Sequence, residues 1–276
     1  MSLREEYEDY CLRFKKIWNY LSKCSKPLDE MVSDICKIRL YFGAEERWGN
    51  LFSEIGLAYV SEETCDYSKM NIKEYEDLGL FSEDEYFLLN ERYIIPIRDM
   101  LGNIIALVGW YPDNKKYITT ASKFFSKDCL FFGMEQLSKT GLGKPYFLVE
   151  GIFDCLSLRS LGFNAVAQMG INASRIKEYL YGMFGKLIGV PDNDTQGRGV
   201  LKSNKWRLPS NASYLRWSGN LQQEEESAEE TEDEGNKGIQ IKDIDKICNL
   251  FEEDDVKDML NSCINERKRV IKIELS

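Results

Sequence analysis

The stretch "GKPYFLVEGIFDCLSLRSLGFNAVAQMG" (Gly143 to Gly170) decides the fold, because it reads as strand, helix and strand in quick succession. "YFLV" is a short apolar run of the kind that fills a strand buried on both faces of a parallel sheet. "IFDCLSLRSLGF" predicts a helix ended by Gly162, and "NAVAQMG" a second strand. Downstream, "NASRIKEYLYGMF" predicts another helix with Asn172 as its N-cap. "GKLIGV" is a third strand and "ASYLRW" a fourth. Strands alternating with helices indicate a parallel α/β sheet.

Ligands of such sheets collect at the carboxyl ends of the strands. Glu150 follows the first strand, and "PDNDTQG" places Asp192 and Asp194 after the third. Asp154 lies one helical turn beyond Glu150, on the same face. Carboxylates gathered on one rim repel one another unless a cation sits between them, and hard Mg²⁺ or Mn²⁺ prefers oxygen ligands. Gly151 and Gly197 would let the backbone turn tightly beside an ion or phosphate. A second acidic pair, Asp243 and Asp245 in "IKDIDKI", follows what reads as a fourth or fifth strand and suits a further ion.

Composition narrows the chemistry. The chain of 276 residues has eight cysteines, none in a C-x-x-C pair, and no histidine. A zinc ribbon and a histidine base are therefore not expected. No apolar run approaches the roughly 20 residues that cross a bilayer. The start, "MSLREEYEDYCLRFKK", lacks the apolar core of a signal peptide, so a cytoplasmic location is expected. The net charge is −10, but "QQEEESAEETEDEG" alone carries eight acidic residues, which leaves −2 for the rest. A near-neutral remainder can still carry a basic groove for phosphates, and the acidic run (221–238) reads as a solvated, disordered insertion.

Upstream, residues 1–90 read as mainly helical, with apolar residues at helical spacing in "YCLRFKKIWNYLSKC" and "LDEMVSDICKIRLYF". From 91 the period changes: "RYIIPIRDMLGNIIALVGW" reads as two strands joined by a turn at Met100-Leu101-Gly102-Asn103. "KKYITTASKFFSKDCLFFGM" continues a small β-rich, lysine-rich module to about 140. The parallel-sheet unit then occupies 141–220. Residues 239–276 complete it with the Lys-Asp-x-Asp motif and C-terminal helices.

These motifs resemble the Toprim domain. "VEGIFDCLSLRSLGFNAVAQMG" is similar to its first motif, with Glu150 as the family's acid, and "PDNDTQG" to its Asp-x-Asp motif. "RYIIPIRDMLGNIIALVGW" and "KKYITTASKFFSKDCLFFGMEQL" resemble the segments that precede Toprim in the catalytic core of DnaG-type DNA primases. The implied fold is α/β (α+β over the whole chain): a Toprim parallel sheet preceded by a helical and small β-rich subdomain. The resemblance also implies a basic groove along Arg92, Arg98, Lys116, Tyr117 and Lys127. Four features depart from the family. No zinc-binding domain and no Walker A motif is seen, the helicase-binding region is expected to be missing or reduced, and Val108-Gly109-Trp110 replaces a Gly-Gly-Arg. A reduced primase core of the phage or mobile-element kind fits this pattern.

The resemblance implies synthesis of short RNA primers on single-stranded DNA by metal-dependent nucleotidyl transfer. Glu150, Asp192 and Asp194 are the expected catalytic ligands, with Asp154, Asp243 and Asp245 also on metal. Lys116 and Lys127 would hold phosphates and Tyr117 would stack on a base. Ribonucleoside triphosphates and a DNA template are the implied partners. A replicative helicase and a separate zinc-bearing template reader are further ones, and no membrane is implied. The same carboxylates suit a Toprim nuclease, and the fold alone suits a non-catalytic nucleic-acid or replisome-binding module.

Overall fold

The computed structural model describes residues 2–70, 75–84, 86–113, 116–120, 131–169, 175–193, 205–218, 220–221, 239–241, 243–268 and 270–274. The chain opens with helix α1 (Leu3–Cys24), started by a reciprocal capping box between Ser2 and Glu5. Helix α2 (Leu28–Arg39) stops where Leu40 turns left-handed (φ 63°) and its N–H caps the last carbonyls. Helix α3 (Glu45–Ile55) ends at Gly56, whose φ of +95° favours glycine. A Cβ there would also lie 2.6 Å from the Trp18 ring.

Residues 1–90 are thus mainly helical, but they also lend a strand to the next layer. Strands β1 (Ala58–Val60), β2 (Arg92–Arg98), β3 (Ile104–Tyr111) and β4 (Lys116–Thr119) form an antiparallel sheet in that order. The β2–β3 turn sits where the sequence places it. One carboxylate oxygen of Asp99 accepts the N–H groups of Leu101 and Asn103, both at 2.8 Å, and Gly102 takes φ +85°.

The remaining elements are α4 (Gln136–Thr140), β5 (Pro145–Val149), α5 (Ile152–Ser160), β6 (Ala165–Ala167), α6 (Arg175–Leu180), β7 (Lys186–Val190), β8 (Ser213–Ser218), β9 (Asn220–Leu221), β10 (Ile239–Gln240), α7 (Ile244–Leu250), α8 (Glu253–Asn265) and β11 (Val270–Glu274). Five strands form a wholly parallel sheet in the order β11-β8-β7-β5-β6. Two details differ from the sequence reading. The helices expected at the C-terminal end are α7 and α8, but the chain then returns as β11, whose Ile271 and Ile273 recur at the strand period of two. The segment before Asp243 is not a strand of this sheet. Its residues 239–240 pair antiparallel with β9.

Helix α5 joins the two halves. It is buried along Ile152–Arg159, as a helix must be when it has neighbours on every side. It packs on β5 and β6 and also meets α3 and α7. Phe153 carries this helix into the N-terminal core, its ring edge-on to Trp110 at 4.8 Å and 6.1 Å from Trp48. No helix among the described residues is long and apolar enough to cross a membrane.

Candidate active site

At the carboxyl ends of β5 and β7 lies a cavity of about 350 Å³ whose walls include Glu150, Asp154, Asp192, Tyr117, Thr119 and Met169. Each carboxylate is placed by backbone geometry. Glu150 is the first residue after β5, and its Oε1 accepts the Asp192 N–H at 3.3 Å, so the two strand ends are tied together. Asp154 reaches back to cap the helix that bears it, and its Oδ2 accepts the Gly151 N–H at 3.1 Å. That reach explains the glycine, because a Cβ on residue 151 would sit 2.5 Å from the Asp154 Oδ2. Met169 closes the floor in the left-handed region (φ 59°), a strained backbone for an unbranched non-glycine residue.

The electrostatics are lopsided. Asp154 is 8% exposed. Burial first, then the Asp192, Asp243 and Asp245 charges, push its carboxyl well above the usual carboxylate range. Asp243, the N-cap of α7, is also raised, by burial and then by Asp245, although its Oδ1 accepts the Lys246 N–H at 3.0 Å. The α7 backbone closes the set, with the Asp245 N–H donating to Asp154 Oδ1 at 3.3 Å.

Asp245 has a different environment. It is 2% exposed, and its carboxylate accepts from Arg39, Tyr41 and Ser157 and, at 3.2 Å, from Asn249 Nδ2. Burial pulls Arg39 down most strongly, but the Asp245 charge, Tyr41, Tyr117 and the hydrogen bond to Asp245 together hold the guanidinium above its ordinary value. The same guanidinium lies 4.2 Å from the Phe153 ring centre. Arg39, Tyr41, Ser157 and Asn249 were not picked out from the sequence. Their positions on α2, α5 and α7 and in the turn after α2 share no spacing that would have marked them.

The residues expected along a basic groove do not stay together. Tyr117 and Thr119 stand on one face of β4 and line the cavity, while strand alternation puts Lys116 on the opposite face. Arg92 donates to the Leu88 carbonyl at 3.1 Å and stacks 5.1 Å from Tyr111. Arg98, at the other end of β2, donates to the Gly102 carbonyl at 3.1 Å and lines a separate cleft of about 550 Å³ between α1 and the β2–β3 turn. Asp194, Gly197 and Lys127 lie outside the described residues, as do residues 222–238 of the acidic run.

Among the described residues, no three His, Cys, Asp or Glu side chains close on one point as a finished metal cluster would. The chemistry of the donor set nevertheless suits a hard divalent ion: the donors are all carboxylate oxygens, and buried Asp154 faces three further carboxylates.

Comparison with known proteins agrees with this geometry. Residues 147–226 match the family described as Toprim-like (Toprim_2). The DNA primase of Mycoplasma genitalium is 30% identical over 166 residues, which cover 56% of this chain and 26% of that protein. The DNA primase of Clostridium acetobutylicum is 27% identical over 157 residues, 52% of this chain and 26% of its own length. The chain thus spans only a small part of the curated relatives it matches. A structure of the DnaG primase catalytic domain bound to ssDNA superposes with a TM-score of 0.67 at 17% identity, covering 94% of this chain and 80% of the other. Residues 147–226 thus match a Toprim-like domain, set in a chain with the fold of a DnaG catalytic core.

Proposed function

We propose that the chain is a primase-type nucleotidyltransferase that joins ribonucleotides into short RNA primers on a single-stranded DNA template. The observation that carries this reading is the set of carboxylates at the ends of β5 and β7, crowded at the head of a buried helix in a primase-core fold. Glu150, Asp192 and Asp194 would hold Mg²⁺ or Mn²⁺, with Asp154 and Asp243 behind them. Bound by these residues, a divalent ion would supply neutralisation of triphosphate and pyrophosphate charge.

The chain's own groups do the positioning. The Asp192 N–H fixes the Glu150 carboxylate, so both strand ends present their oxygens to one cavity. Asp154, held by the Gly151 and Asp245 amides, sets the negative field beneath them. Tyr117 offers an aromatic face to a template or nucleotide base at the cavity edge. Lys116 and Lys127 would contact phosphates, and such contacts make binding salt-dependent. A replicative helicase and a separate zinc-bearing template reader are the partners this reading leaves room for.

The test is incubation with mixed single-stranded DNA, labelled ribonucleotides and Mg²⁺ or Mn²⁺, beside Glu150→Gln and Asp192→Asn. Short labelled products that vanish in both variants support the reading. Metal-dependent loss of the template without primers would replace it with a Toprim nuclease. Binding of DNA with neither product would leave a non-catalytic module.

A further inference from the structure

Carboxylates from two acidic motifs meet at this rim, Asp192 from one and Asp243 and Asp245 from the other. Asp192 lines the cavity with Glu150, whereas Asp245 is turned into the protein, where a guanidinium, a phenol, a hydroxyl and an amide meet its oxygens. Three donors sit on its Oδ1 and the Arg39 guanidinium on its Oδ2, so a metal ion there would compete with a buried ion pair. The partner that neutralises it comes from far along the chain. Arg39 is the last residue of α2, its side chain is 18% exposed, and it lies across the Phe153 ring next to the residue that begins the acidic set.

We propose that Arg39 is a resident cation of the acidic rim. Its guanidinium takes the charge position beside Asp245 that a second divalent ion would otherwise occupy. The rim then holds one tightly bound divalent ion, at the cavity that Glu150 and Asp192 line, and the N-terminal helical segment becomes an electrostatic part of the Toprim site. The inference rests on the reading that the rim binds a divalent ion. It makes Arg39 and Asp245 positioning residues: Asp245 holds Asp154 through its own backbone N–H, and Arg39 holds Asp245.

The experiment counts Mn²⁺ by electron paramagnetic resonance on the intact chain, with circular dichroism to check folding. One tight Mn²⁺ per chain is expected for the unaltered protein and for Asp245→Asn, which keeps hydrogen-bonding capacity toward Tyr41 and Ser157. Arg39→Gln frees the Asp245 carboxylate, and the count should rise to two. Arg39→Lys keeps the charge and should keep the count at one. Two tight ions in the unaltered protein, with one lost in Asp245→Asn, would make Asp245 a ligand and overturn the inference. So would a folded Arg39→Gln variant that still binds one. If Arg39→Gln does not fold, the counts for Asp245→Asn and Arg39→Lys decide, and a drop in either overturns the assignment. Absence of Mn²⁺ binding altogether would instead sink the metal reading on which the inference stands.

Discussion

Helix α5 carries a buried charge at each end, and the two ends are treated in opposite ways. At its C-terminal end Arg159 is 7% exposed and meets the buried Glu135 carboxylate at 2.7 Å, so the pair is neutral in itself. At its N-terminal end Asp154 is buried to the same degree, yet the charged groups acting on it are Asp192, Asp243 and Asp245, all of its own sign. A compensated pair needs nothing from outside and serves to hold helix to turn. An uncompensated anion stores unfavourable energy that a cation can release. One helix thus shows how structural and functional charge differ by partner rather than by burial.

The comparison breaks most visibly at the paired end. Arg159→Ala should lower stability by about 3–5 kcal/mol, because Glu135 is left buried and alone. Denaturant unfolding with and without Mg²⁺ should show the same loss in both. A loss that Mg²⁺ repairs would mean that the two ends are coupled.

At the other end, Glu150→Gln should reduce primer synthesis about a hundredfold, or roughly 3 kcal/mol in the barrier, with the fold intact. Unchanged turnover would remove Glu150 from the site.

Asp154→Asn should raise the metal-free stability at pH 7, since it deletes a charge that burial and its neighbours oppose. The sign of the pH effect follows from the folded-state carboxyl lying above its unfolded value of 3.8. The folded chain binds this proton more tightly, so the cost is absent below about pH 4 and grows as pH rises through the shifted value. The difference in stability between the unaltered chain and Asp154→Asn should therefore widen from pH 4 to pH 7 without metal and narrow when Mg²⁺ is added. A difference independent of pH would contradict the charge assignment.

The smallest effect contrasts the two faces of β4. Tyr117→Ala should weaken single-stranded DNA binding by about 1 kcal/mol, the lower end of base stacking. Lys116→Ala should change affinity less and reduce the salt slope by about one unit or not at all. Equal losses from both would argue that strand alternation does not separate their roles.

Most of the parallel-sheet unit was readable because β5, β6 and β7 are short apolar runs with turn or helix signals on both sides. Observed α5, β6, α6 and β7 fall within the stretches that "IFDCLSLRSLGF", "NAVAQMG", "NASRIKEYLYGMF" and "GKLIGV" marked, and β5 begins one residue before "YFLV". Strand β11 was not readable, because the helical period of α8 runs almost into it and its lysine-bearing edge lacks a flanking turn signal. β1 was hidden for a similar reason, since three residues after a helix carry no period of their own. At the site, Glu150, Asp154 and Asp192 could be placed because strand ends and helix turns fix their positions locally. The Arg39–Asp245 pair spans 206 positions of sequence, and a contact at that range leaves no local trace.

Strands β9 and β10 bring the two ends of the acidic insertion together. Leu221 and Ile239 are register partners, so the acidic insertion departs from and returns to a single point outside the five-stranded sheet. Loop-closure entropy changes only slowly with length, by about 0.6 kcal/mol per doubling. Related chains can therefore lengthen, shorten or recharge this arm with little effect on the fold. The protein's overall charge is adjustable in one place, independently of the architecture that carries the carboxylate rim.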